Sequence, residues 1–412
     1  MLSRYKSGLL ALFERVHRLQ VDPTGKRLLA LEIQEELLLR IGRAERVIRR
    51  TRNEIDVLKC RLAQRGNDRE TSRRIKAQRI AAEKKIELQK EVLAILRAVG
   101  DAIAFIYGDR WDLKQLVKHE SSGFITGKSG TRFERRVLRQ VFHITRDAVA
   151  VLNDITHTLR HGDITVFSPT NWPEGQFGLI ELKSGRGGSR SRIARQSEAL
   201  ERVSNYLQTD VRQTEDGSTW WRESIISHPE HHFDTVARLI AELPRPGWLL
   251  QEIEPGLQYC IIEYREGDKF SAEMFDALKE TAHHQRMFFF VNELKYANNL
   301  AYYPFPLCFS DPEALFRFYN GELLIYIVID MERVNEILVS HGLSARLSDR
   351  DHCFWEIVPQ ADEECSWHIS SHMVGRLAGE FLRLDWLLAN TVISGLGHDL
   401  HRRFREAKAI IS

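Results

Sequence analysis

The residues of this chain best suited to chemistry are Asp163, Glu181 and Lys183. Asp163 lies in H-G-D-I-T-V-F, where Ile164 and Val166 alternate with Asp163 and Thr165. Glu181 and Lys183 close F-G-L-I-E-L-K, where Gly178, Ile180 and Leu182 alternate with Leu179, Glu181 and Lys183. This period of two predicts two short strands, joined by a polar turn with Pro169, Pro173 and Gly175, and puts Glu181 and Lys183 on one face. A carboxylate and an ammonium two apart on a strand, with another carboxylate on the strand before, can hold a hard divalent cation such as Mg²⁺ or Mn²⁺ in oxygen ligands and place a lysine beside its bound water. That combination suits metal-assisted hydrolysis of a phosphodiester.

Glu-x-Lys alone carries little weight in a chain with 28% charged residues, and Glu293-Leu294-Lys295 repeats it after the apolar run Met287 to Val291. The second copy has no strand-borne aspartate at comparable spacing, since Asp276 falls on a predicted helix. The first copy stands in a fuller setting. Upstream, G-T-R-F-E-R-R-V-L-R-Q-V-F (Gly130 to Phe142) predicts a helix and 147 to 153 a first strand; downstream comes S-G-R-G-G-S-R-S-R and a helix over 191 to 207 that buries Ile193, Leu200, Val203 and Leu207. The glycines permit close backbone approach, and Arg186, Arg190 and Arg192 fall where phosphate contact is their natural use.

Residues 128 to 290, taken together, resemble the PD-(D/E)XK nuclease superfamily, with an Mrr-type, restriction-endonuclease-like core. Asp163 matches the motif's Asp, Glu181 its second acid and Lys183 its Lys. The Gly130 to Phe142 stretch is similar to the G-x-x-F-E-x-x-V opening helix, which makes Glu134 the third carboxylate. Gln196 falls where many relatives carry a polar accessory residue, although Leu200 replaces the Tyr of the fuller Q-x-x-x-Y pattern. The resemblance implies an α/β fold, a mixed sheet flanked by helices, and a metal-dependent endonuclease acting on DNA rather than RNA. Asp163, Glu181 and Glu134 would ligate Mg²⁺ or Mn²⁺, and Lys183 would orient and help deprotonate the attacking water. The alternative is a catalytically inactive nuclease-fold scaffold that binds nucleic acid or a protein partner.

At 412 residues the chain suits two or three domains. The absence of any 18-residue apolar run or leader-like segment predicts a soluble, cytoplasmic protein with no membrane contact. Cys60, Cys260, Cys308, Cys353 and Cys365 are odd in number and scattered, suggesting reduced thiols rather than disulfides or a zinc site. The net charge of +2 conceals an asymmetry: residues 1 to 100 hold 24 Lys and Arg against 13 Asp and Glu, and the remainder 35 against 44. A basic front end on an acidic body can meet phosphates.

That front end predicts a short helix over 3 to 20 and then two long ones over 26 to 64 and from 69 onward. Ile41, Ile48, Ile55 and Leu62 recur every seven residues, and Ala82, Ile86, Gln89, Leu93, Leu96 and Ile103 repeat the habit, with Gly100 interrupting the seam. The expectation is an antiparallel coiled-coil hairpin over 1–110 serving nucleic acid or homo-oligomerisation, a nuclease-like core over 128–295, and a C-terminal α+β module over 300–412. A basic hairpin joined to such a core is reminiscent of bacterial defence proteins that act on foreign DNA, which often work with an ATPase partner. Gly123 to Ser129 has one residue too few between its glycines for a phosphate-binding loop and is read as a connector.

Overall fold

The computed structural model describes residues 2–64, 68–108, 123–128, 130–159, 161–168, 177–182, 190–209, 211–213, 219–221, 227–244, 247–265, 286–296, 303–350, 353–360 and 366–393. They are mixed α and β and fall into two compact units, Met1–Arg222 with Tyr296–Leu307, and Glu223–Lys295 with Cys308–Ser412.

The first unit opens with α1 (Lys6–Val21), α2 (Arg27–Ala63) and α3 (Arg69–Tyr107). The last two form the expected hairpin. Asp68 starts α3 by accepting the Thr71 N–H at 2.6 Å, satisfying one of the amides a helix leaves open at its N-terminus. Ile41, Ile48 and Ile55 of α2 and Ile75, Ile86 and Leu93 of α3 are buried along the seam.

The hairpin is not a detached arm. Its root is built into a three-stranded antiparallel sheet, β1 (Val149–Leu152), β2 (Ile164–Phe167) and β3 (Phe177–Ile180), in that order. The outer edge of β1 would leave backbone groups unpaired. Gln34 of α2, fully buried, covers it: its amide nitrogen donates to the Ala150 carbonyl at 2.9 Å and its oxygen accepts the Leu152 N–H at 3.0 Å. Arg27 adds bonds to the carbonyls of Ala148 (2.9 Å) and Phe142 (2.8 Å). The expected boundary near residue 110 therefore does not separate two compact bodies, because the apolar root of the hairpin is core for the sheet.

Gly100, the break in the α3 seam, has a steric reason. A Cβ there would lie 2.1 Å from the Ile155 carbonyl oxygen, in the 3₁₀ turn Asn153–Ile155 that follows β1. Helix propensity favours alanine over glycine by about 1 kcal/mol. Gly100→Ala is nevertheless expected to destabilise, by about 1–3 kcal/mol as for other overpacked sites, read from its urea midpoint. A neutral or stabilised variant would mean the turn does not press on α3.

The structure also pairs other strands differently from expectation. Residues 259–264 and 287–291, within the nuclease-like core expected over 128–295 and there expected as two more strands of its mixed sheet, belong to the second unit. There β4 (Gly247–Glu254), β5 (Leu257–Glu263), β7 (Leu323–Asp330) and β6 (Arg286–Phe290) form an antiparallel sheet in the order β4-β5-β7-β6. Alternation shows that a stretch is a strand, but not which sheet receives it. A second sheet, β8 (Leu343–Leu347), β9 (Cys353–Pro359) and β10 (Trp367–Ser370), completes the α+β character expected of the C-terminal part. The apolar stretch 372–392 predicts one long helix from sequence, but it is broken: Ser371–Gly379 ends, Phe381 adopts φ +49°, and Leu384–Leu387 begins anew. The predicted helix that carries Asp276 lies outside the described residues.

Candidate active site

Asp163 is held from several sides. Gly162, at φ +73°, turns the chain into β2, and a Cβ there would meet the Ile180 carbonyl oxygen at 3.0 Å. The buried Asn153 side chain donates to the carbonyls of His161 (2.6 Å) and Gly162 (3.2 Å) and accepts the Thr165 hydroxyl at 2.8 Å. The Asn153 N–H donates to the Asp163 carbonyl at 3.0 Å, and the Asp163 N–H to the Ile180 carbonyl at 2.9 Å.

The β2–β3 register pairs Ile164 with Ile180, so Asp163 and Glu181 face each other one step beyond that pair. The Asp163 carboxylate also accepts the Leu182 N–H at 2.7 Å, tying it to the backbone beside Glu181. Glu181 itself stands just past the end of β3 rather than within it, so the expected strand through Lys183 is shorter than its alternation suggested.

Glu134 comes from α4 (Thr131–Ile144), whose Leu138 and Phe142 are buried. Steps of four along a helix keep Glu134, Leu138 and Phe142 on one stripe, so the glutamate is drawn half-way under cover with its apolar neighbours. Burial, joined by the carboxylates of Asp154, Asp163 and Glu181 and opposed by Lys128, raises its carboxyl pKa to about 7. Asp163 and Glu181, the other two acids picked out in the sequence, thus both act on Glu134.

No family model, curated protein or solved structure matches this chain. What the site can do follows from its own residues.

Among the described residues, no three His, Cys, Asp or Glu side chains stand close enough to ligate one cation as they are. The donor chemistry nevertheless fits a hard divalent ion. The donors are carboxylate oxygens, and the raised proton affinity of Glu134 marks a negative potential that such an ion would relieve. Folded Glu134 binds its proton more tightly than in the unfolded chain, so the native state loses stability as pH rises from the ordinary carboxylate value towards 7. Glu134→Gln should therefore flatten that loss and melt above wild type at pH 8 in chelator. Equal pH profiles for the two proteins would place Glu134 away from the other acids.

Other expected residues are accounted for more briefly. Lys183 and Arg186 lie outside the described residues, as do the side chains of Gln196, Arg190 and Arg192. The backbones of those three fall on α5 (Arg190–Thr209), where a helix was expected. The second Glu-x-Lys copy is not on a strand: Glu293 lies in the helical turn Val291–Leu294, and Lys295 donates to the Tyr319 carbonyl at 3.1 Å.

Two residues at the site had drawn no attention. Lys128 contacts both carboxyl oxygens of Asp154, at 2.7 and 2.6 Å. Asp154 comes two residues after the four-residue apolar strand β1, the only hint the sequence offers. Lys128 was hidden in the stretch read as a connector, which is in fact fastened to the hairpin. The buried Glu45 carboxylate accepts the N–H groups of Ile125 (2.9 Å) and Thr126 (2.8 Å), Arg97 donates to the Gly123 carbonyl at 3.0 Å, and Arg49 to the Thr126 carbonyl at 2.7 Å.

Proposed function

We propose that the protein is a metal-dependent endonuclease of the PD-(D/E)XK kind, hydrolysing phosphodiesters of nucleic acid, DNA in preference to RNA. The observation that carries this is the convergence of three acids from a helix and two paired strand ends: the Asp163 carboxylate accepts the Leu182 N–H beside Glu181 at 2.7 Å, and Asp163 and Glu181 both act on Glu134. The chain order of α4, three antiparallel strands and α5 suits a restriction-endonuclease-like core.

Asp163, Glu181 and Glu134 would hold Mg²⁺ or Mn²⁺, which when bound supplies Lewis acidity towards the scissile phosphate and acidifies coordinated water. The chain's own contribution is placement. The Leu182 N–H fixes one Asp163 oxygen, and Asn153 and Gly162 fix the turn that carries it. Glu134, with its raised proton affinity, gives up a proton when the site becomes positive. Lys183, next along from Leu182, would orient the attacking water and, as a cation beside it, help its deprotonation.

Nucleic acid would be gathered by Arg186, Arg190 and Arg192, which follow Lys183 in the sequence, and by the basic outer faces of α2 and α3, where Arg50, Arg52, Lys59, Arg61, Arg73, Arg74, Lys76 and Lys84 are exposed. The pairing of a basic hairpin with such a core suits bacterial defence against foreign DNA, with an ATPase or other partner, by analogy alone.

A second reading is a nuclease-like scaffold without activity, and the absence of a ready three-ligand group among the described residues favours it. Incubating the purified full chain with supercoiled plasmid, linear duplex and RNA, with Mn²⁺ or with chelator, separates the two. Mn²⁺-dependent nicking or linearisation is expected. Binding without cleavage on every substrate would leave the scaffold.

A further inference from the structure

The ion pair between Lys128 and Asp154 bears on how many cations the acidic site accepts. Asp154 is one of the three carboxylates acting on Glu134, and it directly follows Asn153, whose N–H donates to the Asp163 carbonyl at 3.0 Å. Its two oxygens are both taken by the Lys128 ammonium. Such a pair contributes little to stability, since Lys128 is 43% and Asp154 30% exposed. Its position is nonetheless over-determined, which a pair kept only for stability would not need.

Lys128 ends the Gly123–Lys128 loop. Ile125 is buried, its amide and the next one are held by Glu45, and Arg49 and Arg52 lie over the Phe124 ring at 5.6 and 5.4 Å. The Lys128 N–H donates back to the Ile125 carbonyl at 3.3 Å, and its carbonyl accepts the Thr131 hydroxyl at the start of α4, one turn before Glu134. The ammonium is thus delivered to Asp154 by a loop that α2 and α3 hold in place.

Two-cation hydrolytic sites place their ions about 3.5–4 Å apart and need carboxylates for both. An ammonium seated on the spare carboxylate supplies one positive charge there and withdraws those oxygens from metal ligation. We propose that Lys128 is a positioning residue that stands in for a second divalent cation, holding Asp154 out of the ligand set so that the site takes one ion. This rests on the reading of Glu134, Asp163 and Glu181 as a cation site.

The test is Mn²⁺ binding by the full-length protein, followed by electron paramagnetic resonance of free Mn²⁺ and independent of turnover. Wild type is expected to bind one ion, lost in Asp163→Asn. Lys128→Met should bind a second, or bind the first at least tenfold more tightly. Lys128→Arg and the double variant Lys128→Met with Asp154→Asn should behave as wild type. If Lys128→Met matches wild type while Asp163→Asn loses the ion, this inference fails and the cation site stands. Loss of the single wild-type ion in Asp154→Asn alone would also overturn it, by making Asp154 a ligand. A wild-type protein that binds no Mn²⁺ overturns both readings.

Discussion

Asp163→Asn and Glu181→Gln are each expected to lower Mn²⁺-dependent cleavage by at least about 10²-fold, the scale on which removing one preorganised electrostatic group acts, while the thermal melt in chelator stays near that of wild type. Asparagine keeps an oxygen able to accept the Leu182 N–H, now at 2.7 Å, so the turn at Gly162 has no reason to move. The lost quantity is negative charge at the place where a cation would sit. Binding of duplex DNA should persist in both variants, because the basic side chains proposed for it are unchanged in them. Either variant cutting at the wild-type rate, with folding confirmed by circular dichroism, would remove these acids from the chemistry.

Glu45→Ala is expected to cost about 3–5 kcal/mol, the range for removing one partner of a buried ion pair. Glu45 is fully buried and lies 3.6 Å from Arg97, itself 8% exposed, while its carboxylate accepts two backbone amides. Truncation leaves Arg97 without its counter-charge and the amides of Ile125 and Thr126 without an acceptor, each cost falling in a place water does not reach. Glu45→Gln, which keeps one acceptor oxygen, should lose less. Chemical denaturation of the three proteins measures the difference; a Glu45→Ala midpoint within error of wild type would mean the Gly123–Lys128 loop is not anchored there.

Much of this organisation was legible because it is local. Heptad spacing and the Asp68 cap give Arg27–Ala63 and Arg69–Tyr107 within a residue or two of expectation, and alternation gives β2 and β3 with Asp163 and Glu181 at corresponding ends. The remainder depends on contacts between residues far apart in sequence. Nothing near Gln34 announces that its amide will serve as an edge partner for β1, 116 residues on. Glu45 reads as one more solvated acid on a charged helix until the loop 80 residues later is seen folded over it. The strands at 259–264 and 287–291 are short apolar runs that any sheet could take in, yet Leu257–Glu263 pairs with Leu323–Asp330, and only tertiary packing decides between such partners. The reading of Gly123–Ser129 as a mere connector missed Lys128 for the same reason.

The most direct measurement is the anomalous scattering of Mn²⁺ in crystals of the full-length protein. A peak is expected between the carboxyl groups of Asp163 and Glu181, with oxygens from both at about 2.1–2.2 Å, close to the distances hard divalent ions adopt, and with Glu134 drawn towards it from α4. A well-occupied peak at some other group of residues, with none between Asp163 and Glu181, would contradict the assignment of this site.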